Sequence, residues 1–242
     1  MSDPLENSDF TLLVAAAGHG ERLGLGPKAF LRLGGKTLLE WVVEIGSRCV
    51  QRIAVVVPEG TVDQARQELK TYPQVKILEG GATRQASYRI LLETCETPYV
   101  LVRDVARPLA SEALLREVAS AARVHGAAGA FNTFVTPIGI GQDQFVTDVL
   151  PRAQALVPSN PQAYTTAVLA QAVIAAFERG VEPQTLWELM LLENRTMYVV
   201  AGEETNHKVT TARDWAIMQQ VTFPQWLAEH GNEQGGATHA QK

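Results

Sequence analysis

Long apolar runs are missing from this 242-residue chain. No segment reaches the roughly 18 consecutive apolar residues that a membrane-spanning helix needs, so none is expected. Cysteine is scarce as well. Cys49 and Cys95 are the only two, and their spacing suits neither a metal site nor a disulfide framework; two reduced thiols are expected. Positive charge is in deficit, with a formal net charge of −5. That excludes a chain whose main business is coating nucleic acid, while leaving room for a local basic pocket around a small anion. The opening residues, MSDPLENSD, lack the basic and apolar regions of a signal peptide, which sets the cytoplasm as the expected location. What remains is a globular composition, 46% hydrophobic and 19% charged, of a length suited to one α/β domain with a real core.

Strand-like and helix-like segments alternate along the chain. FTLLVAAA, from Phe10 to Ala17, is a nearly continuous apolar run ending at glycine, the pattern of a buried parallel strand. KTLLEWVVEIGSRCV follows with helical spacing, placing Leu38, Leu39, Val42, Val43 and Ile45 inward. RIAVVV, VKILE, PYVLVRD, AAGAFNTF and TMYVVAG read as further strands. Helices are expected at TVDQARQELKTY, capped by Thr61, at ATRQASYRILLETC, and at SEALLREVASAARVHG between Ser111 and Gly126. TTAVLAQAVIAAFERG, PQTLWELMLLEN and TARDWAIMQQVTF read as helices too. The alternation predicts an α/β fold, Rossmann-like and doubly wound, with a mostly parallel sheet. Residues 135–158 break the rhythm with Pro137, Gly139, Gly141 and Pro151 around QFVTDVL, and are expected to leave the sheet as a β-arm. The expected organisation is a flexible stretch at 1–9, one domain over 10–222, and a disordered tail over 223–242.

The glycine loop VAAAGHGERLGLGPK, Val14 to Lys28, is the feature richest in chemistry. A dinucleotide fingerprint approximates Gly18, Gly20 and Gly24, but requires an acidic residue at the end of the next strand. Glu40 has the distance yet falls inside a helix, and Glu59 comes too late. A P-loop ending in Gly34-Gly35-Lys36-Thr37 would need glycine where Phe30 stands. A nucleotidyltransferase loop fits better. Successive N–H groups in a glycine turn make an anion-binding concavity, small residues at Ala16, Ala17 and Gly18 leave it open, and Arg22 and Lys28 add charge.

AAAGHGER and GPKAFLRLGGKTLLEWVV resemble the 2-C-methyl-D-erythritol 4-phosphate cytidylyltransferase family. LEGGATRQASY (78–88), VLVRDVARP (100–108), LPRAQALVPSNPQAY (150–164) and NHKVT (206–210) continue the resemblance in order across roughly residues 10–222. It implies transfer of CMP from CTP to a polyol phosphate, 2-C-methyl-D-erythritol 4-phosphate, with loss of pyrophosphate and with Mg²⁺ as cofactor. The nucleophile is a phosphate monoester, whose second pKa of about 6 leaves it largely ionised at pH 7, so no general base is required. The difficulty is to bring two polyanions together and stabilise charge at phosphorus.

The resemblance also assigns roles. Arg22 and Lys28 would meet the triphosphate. Ala16, Ala17, Gly18, His19, Gly20 and Glu21 would face the nucleotide together with Gly80, Gly81, Arg84 and Ser87. Asp104 would lie near Mg²⁺ and the phosphates, and Arg107, Thr136 and Thr210 on the acceptor side. Lys208 would meet the acceptor phosphate. Arg152 would do so from the partner subunit, which implies a homodimer with composite sites joined through the arm.

Several positions depart from the family pattern. Ala15 stands for a common proline, Arg103 for a frequent histidine and Val105 for a frequent alanine. On the acceptor side, Val135 replaces Asp, Asn160 replaces Thr, and Leu186-Trp187 replaces two acidic residues. A site built to hydrogen-bond hydroxyls discriminates by those contacts. Two other readings therefore stay open: a cytidylyltransferase for another polyol phosphate such as ribitol 5-phosphate, and a paralogue that only binds nucleotide.

Overall fold

A computed structural model describes residues 9–234. In chain order its elements are β1 (Phe10–Ala15), β2 (Arg32–Leu33), β3 (Lys36–Thr37), α1 (Leu38–Ser47), β4 (Arg52–Val57), α2 (Val62–Glu68) and β5 (Lys76–Glu79). After them come α3 (Arg84–Leu92), β6 (Tyr99–Asp104), α4 (Glu112–His125), β7 (Ala127–Thr133), β8 (Ile138–Gln142), β9 (Phe145–Leu150) and β10 (Leu156–Thr165). The last are α5 (Thr166–Glu178), α6 (Leu186–Leu192), β11 (Tyr198–Ala201), α7 (Ala212–Ile217) and α8 (Phe223–Gln234). Seven strands make the central sheet in the order β11-β7-β10-β6-β1-β4-β5. All neighbours run parallel except β10, which is antiparallel to both β6 and β7.

Strand alternation divides the core. Leu12 and Val14 of β1 pack with α1, α4 and α8 on one face, while Leu13 joins α3, α5 and α6 on the other. The expected inward residues of α1, Leu38, Leu39, Val42, Val43 and Ile45, are all buried, each contributing about 2 kcal/mol of transfer free energy. Thr37 caps that helix in a capping box with Glu40. The Gly34–Thr37 stretch thus serves a β2–β3 hairpin and a helix start. Ser111 caps α4 and Gly126 closes it in the left-handed region, as expected.

Three details differ from the sequence expectation. Thr61 precedes α2, but its hydroxyl donates to the Pro58 carbonyl and caps nothing. The arm is the β8–β9 hairpin, a separate two-stranded sheet. Residues 156–158, read as part of the arm, already belong to β10, where Leu156 pairs with Thr133. The segment from 223, read as tail, begins with helix α8. Its Phe223 and Trp226 rings lie 5.4 and 5.6 Å from Trp41, burying aromatic surface that a disordered tail would leave in water. The remaining tail and N-terminal readings at 235–242 and 1–8 lie outside the described residues. No helix among the described residues is long and apolar enough to cross a membrane.

Candidate active site

The chain runs β1, β4, β5 outward on one side of the sheet, then returns to the other side of β1 as β6. The carboxyl ends of strands at such a switch point leave a crevice. Here it is a cavity of about 540 Å³, lined by the turn after β1, by Gly80 and Gly81 after β5, by Asp104 ending β6, and by Lys208.

Gly18, His19, Gly20, Glu21 and Arg22 form one wall. Gly20 has φ of +75°, and a Cβ there would stand 2.2 Å from the Gly26 carbonyl oxygen, so the turn needs glycine. Gly80 needs it for another reason, since a Cβ would meet that of Ala17 at 2.3 Å. Ala17 lines the cavity. Ala16 does not: its N–H donates to the Val56 carbonyl at 3.0 Å and its methyl is buried in the core, a packing position rather than a nucleotide contact. Ser87 accepts from the Gly81 N–H at 3.0 Å and donates to the Thr83 carbonyl at 3.1 Å, so it shapes the second glycine turn.

Lys28 begins a short 3₁₀ turn behind Pro27 and sends Nζ to the Val209 carbonyl at 2.9 Å. Burial lowers its pKa, with Lys208 and Arg22 adding to the effect and Asp104 opposing it. Asp104 is the focus of the opposing charge. Its Oδ2 lies 2.8 Å from Lys208 Nζ and 3.9 Å from Arg84 Nη1, and its Oδ1 accepts from the Ala106 N–H at 3.0 Å. Burial alone would raise this carboxyl, but Lys208 and Arg84 outweigh it and hold the pKa at about 2. Arg84 also donates to the Tyr88 hydroxyl at 3.2 Å.

The remaining expected residues stand elsewhere. Arg107 gives Nη1 to the Asn206 carbonyl at 2.8 Å and Nη2 to the Pro158 carbonyl at 3.0 Å, so it braces the loop after β11 against β10. The Thr210 N–H donates to Asp214. Thr136 and Arg152 are exposed around the β8–β9 hairpin, and the cavity of this chain includes neither. Of the departures, Leu186 is 4% exposed within the apolar cluster under α5 and α6, where an acidic side chain would be costly. Trp187 is half-buried beside it, away from the cavity. Arg103 is fully buried and donates to the Arg107 and Pro108 carbonyls at 2.9 and 3.3 Å; burial lowers its pKa to about 10. Sequence reasoning did not single out Asn206, which is 0% exposed, nor the Val209 carbonyl that holds Lys28.

Comparison with known proteins points to one family. The family model described as IspD, 2-C-methyl-D-erythritol 4-phosphate cytidylyltransferase, matches residues 10–222. The chain is 37% identical over 217 residues to a protein of that description from Thermus thermophilus, covering 88% of this chain and 97% of that one. It is 30% identical over 223 residues to one from Deinococcus radiodurans, covering 92% and 94%. Among solved structures, that of a Thermus thermophilus enzyme of the same description aligns with a TM-score of 0.75 at 34% identity, covering 88% and 98%. One from Anaerococcus prevotii aligns with a TM-score of 0.81, covering 92% and 98%; at 23% identity it speaks to the fold alone.

Proposed function

The chain belongs to the 2-C-methyl-D-erythritol 4-phosphate cytidylyltransferase family, and from that premise we propose how its cavity performs the transfer of CMP from CTP to 2-C-methyl-D-erythritol 4-phosphate. The observation that carries the reading is the meeting of Lys28, Arg22, Arg84, Lys208 and two glycine turns around ionised Asp104 in one cavity. The glycine turns and Arg22 take the triphosphate. Lys28 stands where negative charge grows at the α-phosphorus as the acceptor monoester oxygen attacks and pyrophosphate departs. Lys208 faces the incoming acceptor phosphate while Asp104 fixes its ammonium group.

Asp104 also suits a hard divalent cation. Among the described residues no group of three or more His, Cys, Asp or Glu is placed to hold a metal. One ionised carboxylate beside open space fits Mg²⁺, which binds through one or two carboxylates and substrate phosphates while keeping waters. When bound, the ion supplies charge neutralisation between the phosphates.

The second half of the proposal is a homodimer. Phe145, Val146 and Val149 of the β8–β9 hairpin are exposed, and Val135 at its base is 86% exposed. Apolar surface gathered on one hairpin favours burial against another protein surface. A second copy would cover it and bring Arg152 toward the acceptor side of the neighbouring cavity. The buried place of Leu186 removes one reason to look for a different acceptor. A pyrophosphate-release assay with each NTP against 2-C-methyl-D-erythritol 4-phosphate and ribitol 5-phosphate tests the whole reading. Turnover with CTP and the methylerythritol phosphate supports it, whereas CTP binding without turnover on either acceptor overturns it.

A further inference from the structure

Asp104 is held by its backbone as well as by its carboxylate. Its N–H donates to Asn160 Oδ1 at 2.7 Å. Asn160 lies in the irregular part of β10, where the register against β7 shifts between Pro158 and Gln162. The Asn160 carbonyl in turn accepts from Asn206 Nδ2, which also donates to Ser159 Oγ at 3.2 Å. Asn206 is completely buried and stands two residues before Lys208. Its own carbonyl accepts from Arg107 Nη1 at 2.8 Å. The Lys208–Asp104 pair closes a ring that passes through both asparagines.

An amide is a poor choice for filling a buried space. Asn206 Oδ1 has no hydrogen-bond partner among the described residues, and burying an unmatched acceptor opposes folding. An apolar side chain would pack there without that penalty, but could not donate to the loop that carries Asn160. The Asn160 side chain accepts from the strand end that bears Asp104, and Asn206, on the segment that bears Lys208, donates to Ser159 and Asn160. Neither residue belongs to the apolar clusters that hold the sheet to its helices.

We infer that Asn206, acting through Asn160, is a positioning residue that sets the Asp104–Lys208 pair for cytidylyl transfer. The inference rests on the proposed roles of Asp104 and Lys208. Its physical basis is that a group displaced by about 1 Å from its productive place loses on the order of 100-fold in rate.

The test uses the full chain carrying Asn206→Ala, Asn160→Ala, both together, Asn160→Thr, and Asp104→Asn. For each, CTP affinity is measured by calorimetry, and kcat with CTP and 2-C-methyl-D-erythritol 4-phosphate by pyrophosphate release. The alanine variants should bind CTP within severalfold of the parent and lose about 10- to 100-fold in kcat. The double variant should be little worse than the worse single one, because both break the same ring. Asn160→Thr, whose hydroxyl still accepts a hydrogen bond, should recover part of the loss. Unchanged kcat, or a loss that Asn160→Thr does not relieve and single effects that simply add, overturns the inference. If Asn206→Ala does not fold, Asn160→Ala against Asn160→Thr decides by the same readings. Wild-type kcat in Asp104→Asn overturns the site reading and this inference together. An inactive Asp104→Asn with fully active asparagine variants overturns this inference alone.

Discussion

Lys208 Nζ lies 2.8 Å from Asp104 Oδ2, joining the loop after β11 to the end of β6. The pair links the glycine-walled part of the cavity to the segment proposed to face the acceptor. It also ties stability to acidity. The folded pKa of Asp104 is about 2, below the ordinary 3.8 of an aspartate. A depressed carboxylate contributes stability that is fully present above the unfolded pKa and is lost as pH falls through the folded one. The window therefore runs from about pH 4 down to about pH 2. At roughly 1.4 kcal/mol per pH unit the contribution is on the order of 2 kcal/mol. Urea unfolding at several pH values should show Asp104→Asn losing less stability across that window than the parent. Parallel curves would count against the ion pair.

The homodimer reading makes a separate prediction. If Arg152 completes the neighbouring cavity, Arg152→Ala and Lys28→Ala protomers should each be nearly inactive alone. In a mixed dimer, one of the two cavities carries both lesions and the other neither. Purified heterodimers should regain up to about half the wild-type turnover per dimer, as expected when one interface-completed site is intact. Heterodimers as inactive as either parent would show that Arg152 acts on its own subunit or not at all.

Helix α8 should matter for stability. Trp226 is 2% exposed and meets Trp41 edge to face. Replacing a buried tryptophan by alanine costs about 3–5 kcal/mol through lost transfer free energy and the space left behind. Denaturant unfolding of Trp226→Ala should show a loss of that size, and removal of residues 223–242 a loss at least as large. A change under about 1 kcal/mol would mean that the helix is docked only loosely.

The parallel half of the fold was legible because its strands are buried on both faces. Leu12, Leu13 and Val14, or Val55, Val56 and Val57, give continuous apolar runs with no other plausible use. β10 was not legible. It sits in the middle of the sheet, yet Pro158, Ser159, Asn160 and Pro161 break any alternation, and proline normally argues against a central strand. A bulge accommodates them, and only the pairing with β6 and β7 reveals it. Helix α8 was missed because its polar residues dominate the pattern, while Phe223 and Trp226 gain their meaning from Trp41, far away in sequence. Of the expected site, the glycine turns, Arg22, Lys28, Arg84, Asp104 and Lys208 come together as their motifs implied. The asparagine ring left no local signal. Asn206 looks like any loop asparagine until Asn160 and Ser159 are placed against it.

Lys28 gives the most direct test of the account. Its Nζ reaches the cavity from the Val209 carbonyl, and its removal leaves the glycine turns and Asp104 in place. Steady-state turnover of Lys28→Ala with CTP and 2-C-methyl-D-erythritol 4-phosphate should fall by about 100- to 1,000-fold, the usual cost of losing a group that stabilises transition-state charge. The variant should keep the circular dichroism spectrum of the parent. Wild-type turnover in a folded Lys28→Ala protein would contradict the assignment of this cavity as the site of cytidylyl transfer.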